Sequence, residues 1–234
     1  MSRFELRWLT PRKAIKAPVS FGTPWAKGVL QPEEAVALQD EDGGGIPIQT
    51  KINAYWPDGS VKWLLHSAVL DSSKKFSMDI GKVMSAETCI TASQNTDGSV
   101  TVESDLLSCT MQKGSMLISS LLRKITGQKP VSAQLTAYIE NRDEREDVET
   151  ISIHKLIGHT DKVTLEENGP LRAVVKLEGT HEYVNGGRQL FPFVIRLYFY
   201  ADSDEIRLVH TFIFNADQHK DYLKGLAVQF HMHA

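Results

Sequence analysis

The sequence contains very little cysteine. Its 234 residues include only Cys89 and Cys109, which are too far apart to form a C-x-x-C motif. Two cysteines are too few for a disulfide framework, and this spacing does not match the usual zinc or redox motifs. Both side chains are therefore expected to be buried free thiols.

Long hydrophobic runs are also missing. No apolar segment approaches the about 20 residues that span a bilayer, and the opening MSRFELRWLTPRK lacks the apolar core of a signal peptide. The membrane is therefore not an expected partner. The chain as written is predicted to be cytoplasmic, or secreted if it is a trimmed piece of a longer protein.

Charge of one sign does not accumulate anywhere. The 26 Lys and Arg residues are spread along the chain together with 29 Asp and Glu residues, which gives a formal net charge of -3. Proteins that bind nucleic acid through its phosphates carry a basic patch or stripe. Nucleic acid is therefore excluded as an expected partner.

Recognisable catalytic and metal motifs are absent from the sequence. It has no G-x-S-x-G, P-loop or G-x-G-x-x-G motif, and its eight histidines follow no known catalytic spacing. His231 and His233 would share one face of a strand, but zinc requires three or four ligands. Asp202 and Asp204 fall in a predicted turn, where Asp is favoured for backbone hydrogen bonding. We therefore predict no catalytic residue, no metal site and no cofactor in this chain.

The chain does contain period-2 alternation of apolar and polar residues, interrupted by turns. In residues 1–90, short alternating runs are separated by Asp-Gly-Gly-Gly at 42–45 and Pro-Asp-Gly-Ser at 57–60. Such closely spaced strands and turns are typical of a small β-barrel. The fold class predicted for the whole chain is all-β.

The strands are longer in residues 91–234. The clearest hairpin joins residues 190–200 to residues 205–214, and the second of these runs places Leu208, His210 and Phe212 on one face. A sheet with a buried face follows, so this region is assigned to a β-sandwich domain. The highly charged residues 140–149 are predicted to be a solvated loop or a mobile strand edge.

Several motifs carry a family resemblance. Residues 19–30 read VSFGTPWAKGVL, residues 46–49 read IPIQ and residues 55–63 read YWPDGSVKW. In this order they resemble the N-terminal RIFT barrel of exo-rhamnogalacturonan lyase-like proteins. Gly-Pro-Leu-Arg-Ala at 169–173 and the strand at 206–212 are similar to the β-sandwich that follows this barrel. The resemblance implies a RIFT-type barrel over 1–90 and an antiparallel β-sandwich, or part of one, over 91–234.

The resemblance also implies a function. In that family the catalytic centre lies with a helical (α/α) barrel further along the polypeptide, and this sequence contains no such helical stretch. The chain is therefore expected to be a non-catalytic β region that supports a helical catalytic domain of the same polypeptide, or presents a uronate-containing carbohydrate to it. By itself the chain should be inactive.

Two other functions stay open at the level of sequence. The chain could be a self-contained polysaccharide lyase or glycoside hydrolase with a cleft between its two β domains. It could also be a purely structural or oligomerising module. An exposed aromatic platform would favour carbohydrate binding, whereas a strongly perturbed acid or base in a concave site would favour an enzyme.

Trp25 and Trp56 are the candidate carbohydrate-binding residues, since an indole ring can stack on the face of a sugar. A purely structural explanation competes with this one. In Trp-Pro-Asp-Gly-Ser at 56–60, Pro57 favours a turn, Asp58 can accept a backbone hydrogen bond, and Gly59 can adopt positive φ. Trp56 and Trp63 would then pack the barrel at either end of this turn.

Overall fold

The computed structural model describes residues 4–9, 15–81, 84, 90–124, 129–145 and 148–232. These residues form two compact units. Unit 1 comprises Met1–Ile90 with Gly169–Arg172 and Tyr200–Ser203, and unit 2 comprises Thr91–Asn168, Ala173–Phe199 and Asp204–Ala234. The described residues contain no α-helix, which confirms the all-β prediction. A helix able to cross a membrane is accordingly not found among them.

Unit 1 is built on two small antiparallel sheets. The four-stranded sheet has the order β1-β7-β3-β4, and the three-stranded sheet has the order β2-β6-β5. The strands are β1 (Phe4–Leu6), β2 (Lys16–Pro24), β3 (Val36–Asp40), β4 (Gly45–Ile46), β5 (Gln49–Tyr55), β6 (Val61–Asp71) and β7 (Phe76–Ile80).

The core of unit 1 contains a buried hydrogen-bonded chain of side chains. His66 lies between two threonine hydroxyls, with Nε2 2.8 Å from Thr23 Oγ1 and Nδ1 2.9 Å from Thr50 Oγ1. Trp25 Nε1 donates to the same Thr23 oxygen at 3.1 Å. Leu38 and Met78 belong to the hydrophobic cluster that forms the core. Each ring nitrogen of His66 therefore has a partner without contact with water.

Turns of one kind close a hairpin in each unit. Trp56 N donates to Ser60 O at 2.8 Å and Gly59 has φ +87°, while Ser60 N and Oγ both donate to Asp58 Oδ1. The turn at residues 95–99, also ending in Asp-Gly-Ser, repeats this arrangement in unit 2 with Gly98 at φ +81°. The positive φ expected at Gly59 is therefore confirmed.

Gln49 connects two motifs that are far apart in sequence but lie together in unit 1. Its Oε1 accepts hydrogen bonds from Leu171 N at 3.0 Å and Arg172 N at 2.8 Å, and its Nε2 donates to Arg172 O at 3.0 Å. A Cβ added to Gly169 would lie 2.3 Å from the Gln49 side chain. The amide therefore binds the backbone of this turn as a neighbouring strand would, and the turn needs glycine at residue 169.

Unit 2 is dominated by one long antiparallel sheet. Its order is β16-β15-β14-β13-β12-β11-β10-β9-β8, and β17 pairs with β12. The strands are β8 (Ile90–Gln94), β9 (Val100–Ser104), β10 (Leu107–Met111), β11 (Ile118–Arg123), β12 (Val131–Arg145), β13 (Val148–Asn168), β14 (Arg172–Tyr183), β15 (Gln189–Tyr200), β16 (Ile206–Phe212) and β17 (Asp221–His231).

The predicted hairpin near the C-terminal end is confirmed. β15 pairs with β16 in a register that places Ile195 opposite His210 and Phe193 opposite Phe212. For residues 140–149 the loop alternative was wrong and the strand alternative agrees with the structure where these residues are described, because β12 continues to Arg145 and β13 begins at Val148. The charged composition did not predict these strands, because Glu140 is buried and bonded to Lys224 and Arg142, which neutralise its charge within the sheet.

A buried ion pair fixes the turn after β14 in unit 2. Asp221 is 2 % exposed and accepts hydrogen bonds from Arg188 at 2.6 Å and Asn141 at 2.7 Å. Burial alone would raise the pKa of Asp221, but these donors outweigh burial and hold the pKa below its ordinary value. The carboxylate thus holds together β12, β17 and the turn preceding β15.

Candidate functional site

Trp25 lies in the core of unit 1. It is 4 % exposed, and its ring contacts the Phe4 ring edge to face with 5.4 Å between the ring centres. Its Nε1 donates a hydrogen bond to the Thr23 hydroxyl. A ring enclosed in this way cannot stack on a sugar, so its placement gives the carbohydrate-binding prediction for Trp25 no support. The physical cause is its position beside β2, where the indole is turned inward onto Thr23.

Trp56 is half-buried and has a structural contact at its polar edge. Its Nε1 donates to the Trp25 carbonyl at 2.9 Å, and the Lys62 amine lies 4.6 Å from the centre of its ring. The ring is therefore fixed against the turn that it begins, with a cation over one face. The structural interpretation of this motif accounts for both contacts.

Trp63 is the tryptophan with an exposed ring. It is 39 % exposed and lies on the outward face of β6, packed on Gly22 of the neighbouring strand β2. A Cβ at residue 22 would come within 2.6 Å of Trp63 Nε1. Only glycine leaves room for the indole to lie on the strand in this way, and the ring is held in place by the backbone beneath it.

The residues around Trp63 combine small and apolar side chains with one lysine. In the register of the sheet, Pro24 is opposite Trp63, and both Gly22 and Lys51 are opposite Leu65. Lys51 is exposed, and its amine has no ion-pair partner among the described residues. We call these five residues the Trp63 face. It combines an aromatic surface with one cation.

A hydrogen-bonded group of polar side chains continues the same face within unit 1. Ser20 Oγ lies 3.2 Å from Ser67 Oγ and 3.3 Å from the Tyr200 hydroxyl, and it accepts a hydrogen bond from Arg172 at 2.8 Å. Ser20 and Ser67 are directly opposite each other on β2 and β6. Ser20 is exposed, whereas Ser67 and Arg172 are buried, so the face offers the Ser20 hydroxyl and the buried groups hold it in place.

The buried histidines of unit 2 do not form a catalytic pair. His181 Nδ1 lies 2.9 Å from the Phe191 carbonyl oxygen, which can only accept, so Nδ1 carries the proton. The rings of His181 and His210 are 6.1 Å apart, and both Nε2 atoms are buried without a partner among the described residues. Burial lowers the pKa of both side chains. They are neutral core residues near neutral pH.

The contact between His181 and Phe191 supports a strained backbone. Phe191 has φ +52°, an unfavourable conformation for a residue with a bulky side chain. Its carbonyl is bonded to His181, and its N–H donates to Asn215 Oδ1 at 2.7 Å. His181 and Asn215 therefore have a structural role, since their hydrogen bonds hold the strained backbone of Phe191.

The remaining candidates from the sequence have structural partners. Asp202 forms a salt bridge with Lys16, and Asp204 forms one with Arg123. Within the described part of the chain, no group of three or more metal-ligating side chains occurs. His233 lies outside the described residues, which leaves the predicted histidine pair with His231 untested.

The cysteine prediction can be checked at one position. Cys109 is a buried free cysteine, and burial raises the pKa of its thiol to about 12. It is therefore an unreactive core side chain at neutral pH. Cys89 lies outside the described residues.

Sequence reasoning missed Trp63 as a surface residue. In the motif Trp-Pro-Asp-Gly-Ser-Val-Lys-Trp, the first tryptophan is the candidate for binding sugar, and the pattern predicts that the last one packs the barrel. Register shifts in the pairing of β5 with β6 lie next to Trp63 and break the alternation that would reveal which face it occupies. Gly22 opposite a large aromatic was the available signal, but it depends on knowing the register.

Comparisons with known proteins agree with this architecture. The family model of the PcRGLX-like N-terminal RIFT barrel domain matches residues 2–83, and that of the PcRGLX-like protein central beta sandwich domain matches residues 90–234. An uncharacterized protein, YetA of Bacillus subtilis (strain 168), is 34 % identical over 230 residues. The match covers 97 % of this chain but 26 % of the length of that relative. The resemblance seen in the sequence is confirmed, and the chain belongs to the PcRGLX-like family, carrying its N-terminal RIFT barrel and central β-sandwich domains.

Proposed function

We propose that this chain is the β region of a polysaccharide-degrading enzyme and that its first unit binds carbohydrate at the Trp63 face. The observation that carries the proposal is the exposed Trp63 ring held on Gly22. Sugar rings present an apolar face of C–H groups and an equatorial belt of hydroxyls. A fixed aromatic ring with the Lys51 amine and the Ser20 hydroxyl on the same face matches both.

The preferred ligand is a sugar that carries a carboxylate. Lys51 provides an exposed positive charge on the Trp63 face. The one carboxylate in these three strands, Asp71, lies at the far end of β6 and accepts hydrogen bonds from Ser73. The exposed hydroxyl of Ser20, which Arg172 holds in place from the buried side, adds a hydrogen-bonding group further along. A uronate residue stacked on Trp63 would complement this pattern of charge.

The affinity of such a surface for a short oligosaccharide should be low. One aromatic platform contributes on the order of 1 kcal/mol beyond area burial, and a single exposed cation contributes about 0.2–1 kcal/mol. Together they give about 1–2 kcal/mol, less than the about 4 kcal/mol of a 1 mM dissociation constant, so affinities in the millimolar range at best are expected. A binding unit of this strength would act by keeping a polymer near a catalytic domain, which we place in a helical part of the same polypeptide.

Titration of Trp fluorescence tests the binding site directly. All four tryptophans lie in unit 1, and Trp63 is the one of the four that is exposed to solvent. A change in emission on adding rhamnogalacturonan oligosaccharides should therefore come mainly from Trp63. Trp63→Ala should remove the saturable change, whereas Trp56→Phe should retain it. Lys51→Gln should weaken binding of uronate-containing oligosaccharides but not of neutral galactan oligosaccharides. An unchanged titration for Trp63→Ala would refute the assignment.

Catalysis is tested separately. Eliminative cleavage of a uronate produces a conjugated double bond that absorbs in the ultraviolet, so the assay requires no label. The chain alone should produce no growth in absorbance with rhamnogalacturonan. Growth that disappears on substitution of one histidine or tyrosine would show instead that the chain is an enzyme in itself.

A further inference from the structure

Strand β5 carries an extra residue next to the partner of Trp63. Ile52 is opposite Leu64 of β6. The next pair joins Ala54 to Trp63, so Asn53 is an additional residue without a partner of its own. Two residues of one strand opposite one residue of its neighbour form a β-bulge, which re-aims side chains and is over-represented next to active sites. Asn53 is therefore placed beside Trp63 by an irregularity of the sheet.

The fold does not account for an asparagine at residue 53. Its side chain is exposed, and its carboxamide makes no hydrogen bond within the described part of the chain. Asparagine is depleted in strands. It is favoured where the backbone adopts positive φ, but φ at residue 53 is not positive. The carboxamide is thus a donor and an acceptor that the protein itself leaves unused.

Asn53 and Lys51 lie on the same side of β5. Both are exposed, whereas Ile52 between them packs against the core of unit 1. Side chains two residues apart on a strand point to one face, about 6–7 Å from each other. Along β5, Asn53 lies between Lys51 and the level of Trp63. The Trp63 face therefore has a cation and a carboxamide in a row beside its aromatic ring.

We propose that Asn53 determines specificity on the Trp63 face by binding the hydroxyls at C2 and C3 of the sugar that stacks on Trp63, while Lys51 binds the carboxylate of the same sugar. This inference rests on the proposed function and names its ligand as a pyranuronate with both hydroxyls free. The carboxamide nitrogen donates to one hydroxyl and the carboxamide oxygen accepts from the other.

The spacing of the two side chains selects this pair of hydroxyls. In a pyranuronate the carboxylate is attached to C5, and the C2 and C3 hydroxyls lie across the ring from it. The about 6–7 Å between Lys51 and Asn53 along the strand spans a single sugar ring. The C4 hydroxyl lies next to the carboxylate, on the side of the ring that Lys51 binds. One monosaccharide is therefore recognised at two opposite edges and on one face.

The test is titration of the whole chain with the methyl glycosides of galacturonate, galactose and 2-deoxygalactose, followed by Trp fluorescence. The wild type should bind the galactoside about three- to tenfold more tightly than its 2-deoxy form, which lacks one hydrogen-bonding hydroxyl. Asn53→Ala should reduce this ratio to about one and retain the preference for galacturonate over galactose. Lys51→Gln should do the reverse. Asn185→Ala, at an exposed asparagine of unit 2, is the matched control and should retain both ratios.

Urea unfolding of Asn53→Val distinguishes binding from a structural role. Valine is favoured in strands, so the unfolding midpoint of unit 1 should rise while the ratio between the galactoside and its 2-deoxy form falls to about one. A gain in stability together with a loss of discrimination is the behaviour of a residue retained for function. A lower midpoint with an unchanged ratio would assign Asn53 to the bulge itself and overturn the inference.

The same titrations separate this inference from the proposed function. If Trp63→Ala removes saturable binding while Asn53→Ala keeps the wild-type ratio, the role of Asn53 is refuted and the Trp63 face stands. If Trp63→Ala leaves every titration unchanged, the Trp63 face is refuted and the role of Asn53 with it. Loss of the ratio in Asn53→Ala, with binding of the galactoside still dependent on Trp63, supports both.

Discussion

Buried His66 should make unit 1 lose stability in mildly acidic solution. Its imidazole is enclosed between Thr23 and Thr50, and burial lowers its pKa from 6.5 to about 4. Above pH 6.5 the residue is neutral in both folded and unfolded chains, so its contribution to stability is complete. Below pH 6.5 the unfolded chain binds a proton that the folded unit does not. Stability therefore falls until the pH passes the folded value near 4.

The size of this loss follows from the difference in pKa. Each pKa unit corresponds to about 1.4 kcal/mol, so the shift from 6.5 to about 4 corresponds to about 3 kcal/mol in total. At pH 5 the expected loss is about 2 kcal/mol relative to pH 7.5. Hydrogen bonds from Lys74, Ser60 and Ser73 keep the pKa values of Asp40, Asp58 and Asp71 below their ordinary value of 3.8, so these carboxylates do not titrate between pH 5 and 7.5.

Urea unfolding followed by Trp fluorescence measures this effect in unit 1, where all four tryptophans lie. His66→Gln removes the titrating group while keeping a donor and an acceptor, so its free energy of unfolding should change by about 2 kcal/mol less than that of the wild type between pH 7.5 and 5. His219→Gln, at an exposed residue of unit 2, should retain the wild-type difference. The reasoning is refuted if His66→Gln and the wild type lose the same free energy over this interval.

Three further predictions concern stability and reactivity. Gly59→Val should destabilise unit 1 by about 1–3 kcal/mol in the same unfolding assay. The cause is backbone strain at φ +87°, because an added Cβ would have no other atom within 4 Å. An unchanged midpoint would contradict the turn geometry. Asp221→Asn should lower the free energy of unfolding of unit 2, measured by circular dichroism, by about 2 kcal/mol, since Arg188 would lose its carboxylate; Asp217→Asn, at an exposed neighbour, is the control. Cys109, whose thiol pKa is raised to about 12, should react with a thiol reagent at pH 8 only in urea when Cys89 is replaced by serine; rapid labelling of the folded chain would contradict its burial.

Much of the fold could be predicted from the sequence because local chemistry determines it. The Asp-Gly-Ser turns are fixed by hydrogen bonds within five residues, and the alternation in residues 206–212 is the same period that the sheet requires. Residues 140–149 could not be predicted this way. The charge of Glu140 is compensated by Lys224, which lies on a strand more than 80 residues later in the sequence.

The candidate site was harder to predict for the same reason. Exposure of a tryptophan is a property of the folded surface, and Trp25, Trp56 and Trp63 look equally suitable in the sequence. Pairing of β2 with β6 turns Trp63 outward onto Gly22, whereas Trp25 is enclosed next to Thr23.

Some residues of the motifs that reveal the family belong to the Trp63 face, and others have a purely structural role. Gln49 and Gly169 are both motif residues, and they bind each other within unit 1 instead of facing a ligand. The turn of Trp56 to Ser60 closes on itself by hydrogen bonds. Such residues specify the backbone that brings Trp63 onto Gly22. Lys51 lies outside these motifs, exposed on the Trp63 face. Changes in ligand preference within this architecture are therefore expected at Lys51, while changes at Gln49 or Gly169 should appear as a loss of stability.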